Sequence, residues 1–477
     1  MAKNLKQKTT QGLLWSSIDR FSSQGIQFIF SIFLARLLSP NDYGIVAMTI
    51  IFFAIAQTFV DSGFSGALVR KNERTEEDFS TCFYFNIIIG ILCYCILYFT
   101  SPIIAKFYNQ PILDPIIKVS GLTIIINSLC IVQQAQFTIK VDFKSQAKIS
   151  IISTIASGIS GIIIAYWGYG VWALIWQGLI YAIFRMALMW IMSGWYPITG
   201  FSKEAFHNLF GYGSKMLASG LIGTIYVNVY PIIIGKFYSP SQLGHFSRAQ
   251  GWVGLPSSNI TGILQRVSFP VLSIIQNDDE LLANSYRKLL KLSAFIVFPL
   301  MMLLAASASP LIRVVITSKW DSCVPYMQIL CFDMMWYPIH AINLNLLQVK
   351  GRSDLFLRLE VIKKIIGILV MIITVPLGVK AMCFGLVFTS FIALFINTYY
   401  TGKLIKIGYL KQMKDLTPIL LISFITGFLS FAITFLFSTE LSKLFFSIIT
   451  GIFIYLFMSR FWTKEELKEV INIIKRK

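Results

Sequence analysis

Charged and hydrogen-bonding side chains recur at helical spacing inside otherwise apolar runs of this chain. Residues 13–38 carry Ser16, Asp19, Arg20, Ser23 and Gln27, three or four apart and so on one face of a helix. The next run has Gln57 and Asp61. Residues 207–235 hold Lys215, Ser219, Tyr226 and Tyr230; residues 243–265 hold His245, Arg248, Trp252 and Asn259; residues 323–348 hold Asp333, Tyr337, His340 and Asn343. A charge in hydrocarbon costs about 2.5–3.5 kcal/mol on insertion scales, so such stripes are expected to face a hydrated cavity. The chemistry on offer is ionic recognition. Arg20, Lys215 and Arg248 are the cations that could hold an anionic headgroup. Asp19, Gln57, Asp61, Tyr226, Trp252 and Asn259 are the polar lining, and Asp61 and Asp333 are candidates for proton coupling. Each has a plainer reading: Arg20 paired with Asp19 or Asp61, Lys215 snorkelling to the interface, His340 a hydrogen-bonded packing residue, and the aromatics packing.

Nothing in the sequence carries covalent chemistry. It has no P-loop, no H-E-x-x-H and no G-x-S-x-G. Gly168-Tyr169-Gly170-Val171-Trp172-Ala173 fits the dinucleotide-binding pattern, but that pattern needs a preceding strand and a β-α-β unit. Here it falls between two apolar runs and reads as a tight turn. The seven cysteines lie in or beside apolar runs and read as small packing residues. No metal and no cofactor is expected.

The elements that must position these groups follow from composition. Of 477 residues, 56% are hydrophobic and 13% charged, against about 25% charged in soluble domains; mean hydropathy is +0.70. That excludes a soluble enzyme, a disordered chain and a disulfide scaffold. The net charge of +19 lies in short clusters between apolar blocks, the pattern of cytoplasmic loops rather than of nucleic-acid binding. The fold class expected is an all-α integral membrane protein with about fourteen spans of roughly 20 residues. They fall near 13–38, 43–69, 79–101, 115–138, 147–167, 170–192, 207–235, 243–265, 288–312, 323–348, 356–376, 379–400, 416–437 and 441–459. Cations concentrate in alternate loops (Arg70, Lys71 and Arg74; Lys140, Lys144 and Lys148) and at both ends, which places both termini in the cytoplasm. The stretch after Lys8 is polar and lacks a small-residue cleavage site, against a cleaved signal peptide.

An internal repeat organises the runs. Arg36-Leu-Leu-Ser-Pro-Asn-Asp-Tyr-Gly44 matches Lys236-Phe-Tyr-Ser-Pro-Ser-Gln-Leu-Gly244 in its cation, Ser-Pro and glycine at an offset of 200, and Lys140–Lys148 echoes Lys350–Arg358. A common post-helix turn is the alternative. The repeat predicts an N-terminal lobe over 1–200 and a C-terminal lobe over 201–402, six spans each, in parallel pseudo-two-fold arrangement about a central cavity. Residues 403–477 add two helices and a basic tail. Ser157 and Gly161 form a small-residue pair for helix contact.

Several motifs resemble a known family. Asp61-Ser62-Gly63-Phe64-Ser65-Gly66-Ala67-Leu68-Val69-Arg70-Lys71, followed by Thr75-Glu76-Glu77-Asp78 and Asn86, is similar to the second-to-third-helix stretch of polysaccharide-repeat flippases of the Wzx type. So are Gly168–Leu174, Gly244-x-Phe246-Ser247-Arg248-Ala249 with Pro256, Arg266-Val267-x-Phe269-Pro270, Lys319-Trp320 and Gly351-Arg352. The resemblance runs through nearly the whole chain and implies the multidrug/oligosaccharidyl-lipid/polysaccharide exporter superfamily. It implies a two-lobed, V-shaped helical fold and translocation of an undecaprenyl-diphosphate-linked oligosaccharide between leaflets of the bacterial inner membrane, by alternating access. That would serve lipopolysaccharide, capsule or exopolysaccharide synthesis, with polymerase and glycosyltransferases of the pathway as partners. Family members often carry an acid near Asn228, here a polar cavity residue, which weakens proton carriage at that position. Two other classes compete. A drug exporter would want an acidic cavity, whereas cations outnumber acids in the seventh and eighth runs. A membrane-embedded polymerase or ligase would want a large outer loop.

Overall fold

Local capping signals set where many of the helices begin. Thr75 and Asp78 form a reciprocal capping box at the head of a 33-residue helix whose first turn also carries Glu76 and Glu77, and carboxylates there complement the positive helix end. Asp142, Ser202, Asp278 and Thr439 cap later helices through a side-chain oxygen. The computed structural model describes residues 15, 22–61, 64–71 and 73–475, without the side chains of Tyr212, Lys215, Val267, Ile473 and Ile474. Among these residues there is no strand. The helices are α1 (22–37), α2 (Pro40–Asp61), α3 (Phe64–Arg70), α4 (Glu76–Tyr108), α5 (Leu113–Ser128), α6 (Ile131–Ile139), α7 (Phe143–Tyr166), α8 (Val171–Ser193), α9 (Lys203–Val227) and α10 (Val229–Phe237). There follow α11 (Pro240–Ile274), α12 (Asp279–Ala306), α13 (Ala308–Ile316), α14 (Cys323–Met334), α15 (Tyr337–Val349), α16 (Ser353–Thr374), α17 (Val379–Ile405), α18 (Tyr409–Ile433), α19 (Glu440–Trp462) and α20 (Lys464–Lys475).

The protein is a multi-span helical membrane protein. Among the described residues eight helical segments are long and apolar enough to cross a bilayer, or up to ten if each bent pair, α5–α6 and α9–α10, is one span. The described parts of the fourteen runs expected from the sequence are largely helical. The helices outside the eight to ten are shorter or more polar. The polar helix α11 carries His245, Arg248 and Arg266, α16 carries Asp354, Arg358, Glu360, Lys363 and Lys364, and α14 and α15 are separate short helices.

The chain divides into two compact units, Met1–Gly244 and His245–Lys477. The first takes in α9 and α10, which pack on α2 and α4. Its α7 and α8 form an antiparallel pair turned by Gly168 and Gly170, both at positive φ (84° and 54°). The glycines of the dinucleotide-like motif therefore make a turn, because only glycine adopts these angles freely. On α7 a Cβ at Gly158 would lie 2.3 Å from the Phe30 ring, and one at Gly161 would lie 3.1 Å from Gln177. Gly161 of the expected Ser157–Gly161 pair thus sits where α8 closes on α7, and Gly158, outside that pair, where α1 does.

Both repeat echoes have matching local structure. Ser39 and Asp42 exchange capping hydrogen bonds at 2.9 and 3.3 Å, and Ser239 and Gln242 do the same at 3.4 and 3.3 Å. The two turns also meet: a Cβ on Gly44 would lie 1.7 Å from the Pro240 carbonyl oxygen, and one on Gly244 would lie 1.9 Å from that of Pro40. Such reciprocity is what a local two-fold axis produces. The second echo repeats a helix end. Val141 (φ 57°) and Gly351 (φ 70°) follow the last helical turn, and the next amides, of Asp142 and Arg352, donate to Phe137 O at 2.9 Å and Leu347 O at 2.8 Å.

In the second unit α12 packs on α14, α15 and α18. Asn343, Thr401 and Gln412, all buried, bond one another at 3.1–3.2 Å. His340 Nε2 lies 3.0 Å from Ser390 Oγ, and Asn397 Nδ2 lies 3.2 Å from His340 Nδ1. These networks satisfy polar groups internally, as a bilayer demands, and agree with reading His340 as a packing residue.

Candidate functional site

The first unit gathers polar side chains from α2, the bent pair α5–α6, and α8. On α2, Gln57 Nε2 donates to Asp61 Oδ1 at 2.9 Å, and Gln57 Oε1 accepts from Asn127 Nδ2 at 3.1 Å. On α8, Arg185 Nη2 donates to Gln134 Oε1 at 2.5 Å. Beside them, the hydroxyls of Thr58 and Thr224 lie 3.1 Å apart, and Asn228 Nδ2 donates to Thr224 O at 2.8 Å. A Cβ at Gly220 would lie 3.1 Å from Thr58 Cγ2, so α2 and α9 approach closely there.

These amides cluster at breaks in the helices. Asn127 is in the last turn of α5 and Gln134 is in the first turns of α6, across a 41° bend; Asn228 stands at the 42° bend between α9 and α10. A break frees backbone groups that need partners, and broken helices in transporters mark binding positions.

The residues singled out from the sequence fall as follows. Asp19 and Arg20 lie outside the described residues, as does the side chain of Lys215. Gln57 and Asp61 are joined, as their spacing implied. Tyr226 is half-buried on α9. In the second unit the Arg248 guanidinium lies 5.9 Å from the Trp252 ring and 5.6 Å from the Trp320 ring, and His245 meets Trp320 edge-on at 5.6 Å. Trp320 is fully buried, so Arg248 sits against an aromatic wall in cation–π contact. Asn259, half-buried, lies farther along α11. Asp333 lies on α14. No three of His, Cys, Asp and Glu cluster as metal ligands among the described residues.

Sequence reasoning missed Arg185, Asn127 and Gln134. The signal for Arg185 was present: it is the only charged residue in α8, and a lone arginine within a span is a functional candidate by default. The amides carried no such mark, because only the helix breaks bring them to the site. The assembled group holds one carboxylate, bonded to Gln57, and one guanidinium, bonded to Gln134, amid neutral donors and acceptors. It can hold an anion through charge-assisted hydrogen bonds.

Together these features define a polytopic helical membrane protein with polar groups gathered inside an apolar bundle. Its fold matches the Lipid II flippase MurJ in an inward closed conformation, with a TM-score of 0.77 at 17% identity over 95% of this chain and 99% of that one. It also matches an inward-facing multidrug resistance MATE family transporter of the MOP superfamily, with a TM-score of 0.60 at 13% identity over 85% and 98%. The chain belongs to the polysaccharide biosynthesis protein family, whose description matches residues 33–325. Relatives include the teichuronic acid biosynthesis protein TuaB of Bacillus subtilis (strain 168), 25% identical over 74% of this chain and 73% of that protein. The lipopolysaccharide biosynthesis protein WzxC of Escherichia coli (strain K12) is 22% identical over 83% and 80%.

Proposed function

We propose that the protein flips an undecaprenyl-diphosphate-linked oligosaccharide from the inner to the outer leaflet of the bacterial cytoplasmic membrane, supplying lipopolysaccharide, capsule or exopolysaccharide assembly. The observation that carries this reading is the Arg185–Gln134 and Asp61–Gln57–Asn127 group set inside an apolar bundle. A diphosphate and its sugars cannot cross hydrocarbon alone. A cation amid amides replaces the lost hydration, while the lipid tail stays in the bilayer. Arg20, Lys215 and Arg248 join Arg185 as phosphate-binding cations, with Asp61 or Asp333 as the coupling carboxylate. Both termini are cytoplasmic, and the lobes 1–200 and 201–402 rock about the bound headgroup, followed by 403–477. The names of the relatives, each a surface-glycan biosynthesis protein, and the flippase fold support the reading.

A cell lacking the chain should lose its surface glycan and accumulate lipid-linked units facing the cytoplasm. Complementation with the Arg20→Ala, Lys215→Ala double variant should leave export at least ~tenfold down, the loss of about 1.4 kcal/mol of binding, with the protein inserted at normal level. Full complementation by that variant overturns the assignment of those two cations.

A further inference from the structure

A cavity of about 620 Å³ opens within the first unit between α1, α7 and α8. Its polar lining comes from Gln24 and Gln27 of α1, Ser150 and Thr154 of α7, and Gln177 and Tyr181 of α8. Phe30 gives it an apolar wall, and none of its described lining residues carries a formal charge. The close contacts of Gly158 with Phe30 and of Gly161 with Gln177 pinch the three helices together on one side. The short hydroxyl side chains of α7 leave the space on the other side unfilled.

The lining decides the ligand class. Among the described lining residues a diphosphate would meet no cation, and a charge without a partner away from water is costly. Side-chain amides, hydroxyls and one phenol beside a ring suit a neutral, hydroxyl-rich molecule, and the volume is that of a small-molecule site, about 300–1,000 Å³. The cavity also adjoins a charge. Arg185 follows Tyr181 by four residues on the same face of α8, about 6 Å along the axis. A guanidinium followed by a neutral hydrogen-bonding pocket repeats the order of a glycan lipid, phosphate first and sugar next.

We propose that this cavity binds the neutral pyranose residues attached to the diphosphate while the headgroup rests at Arg185; the assignment rests on the flippase reading above. Gly178 gives a direct test, because it lines the cavity and no atom lies within 4 Å of a Cβ placed there. Gly178→Phe fills the void without displacing a neighbour, and Gln177→Leu removes an amide at nearly constant volume. Ile183→Phe, on the exposed apolar face of the same helix, is the control. In cells making the native glycan, the first two variants should cut surface glycan at least ~tenfold at normal membrane level, and Ile183→Phe should stay within about twofold of wild type. Purified in nanodiscs, Gly178→Phe should bind undecaprenyl diphosphate, which carries no sugar, within about twofold of wild type.

Wild-type export by both variants overturns the sugar site. So does a loss of undecaprenyl diphosphate binding as large as the loss of export, which would make the cavity a headgroup site. If deleting the whole chain leaves surface glycan intact, the flippase reading itself falls. Deletion that abolishes glycan while Gly178→Phe exports normally removes the sugar site alone.

Discussion

At the scale of single residues, the site turns on Asp61 and Arg185. Asp61 accepts from Gln57 at 2.9 Å, and Arg185 of α8 donates to Gln134 of α6. Removing the carboxylate's charge leaves the site more positive toward a ligand. Asp61→Asn is therefore expected to tighten undecaprenyl diphosphate binding about threefold, and Arg185→Ala to weaken it tenfold or more, since bonds to charged groups contribute about 1.5–3 kcal/mol. Arg185→Lys should recover only part, because lysine lacks the bidentate fork. A binding titration in nanodiscs reads all three; tightening by Arg185→Ala would remove that residue from the site. The Gln57–Asp61 contact was legible in the sequence because it is local, one helical turn. The bond from Arg185 to Gln134 was not, because it joins helices far apart in the chain and no periodicity records which faces meet. Arg248 shows the same limit: its place on a polar stripe was readable, its neighbour Trp320, 72 positions on, was not.

Among the elements, the loop between α3 and α4 is fixed by a nearly dry ion pair. Lys71 Nζ lies 2.8 and 2.6 Å from the Asp78 carboxylate oxygens, and Asp78 is 1% exposed. The same carboxylate accepts from the Thr75 amide at 2.9 Å, and Arg74 donates to the carbonyls of Leu68 and Val69 at 2.7 Å. Lys71→Met would leave a buried carboxylate without its cation, whereas Asp78→Asn leaves a lysine that is one-third exposed and can reach water. Lys71→Met is thus expected to lower the thermal midpoint in detergent more than Asp78→Asn, each by the equivalent of about 1–3 kcal/mol. An inverted order in the melting curves would show that the cap, and not the pair, carries the loop. The elements themselves were largely legible, since the described parts of the apolar runs are largely helical. What the runs concealed was one of their breaks. Asn127 and Asn228 sit in stretches as apolar as their neighbours; the α5–α6 bend has no proline beside it, whereas Pro231, three residues past Asn228, removes the amide that would bond Val227 O and so marks the α9–α10 break in the sequence.

For the whole molecule, the repeat read from two short matches extends into geometry. Both Ser-Pro turns are capped alike, and the helix ends at Val141 and Gly351 use the same backbone bonds. The glycines do more than permit a turn, for each lies against the other copy's proline carbonyl at a separation that admits no methyl group. Gly44→Ala and Gly244→Ala should each lower the level of folded protein and its export. The double variant should be little worse than either single one, since residues that share one contact do not add. Fluorescence-detected size exclusion of the three variants measures this, and strictly additive losses would separate the two turns. A duplicated turn seated on its own twin has no spare: an injury to either copy opens the same seam. Exchange of residues 36–44 alone for a bulkier relative's segment should therefore fail where exchanging 36–44 and 236–244 together succeeds.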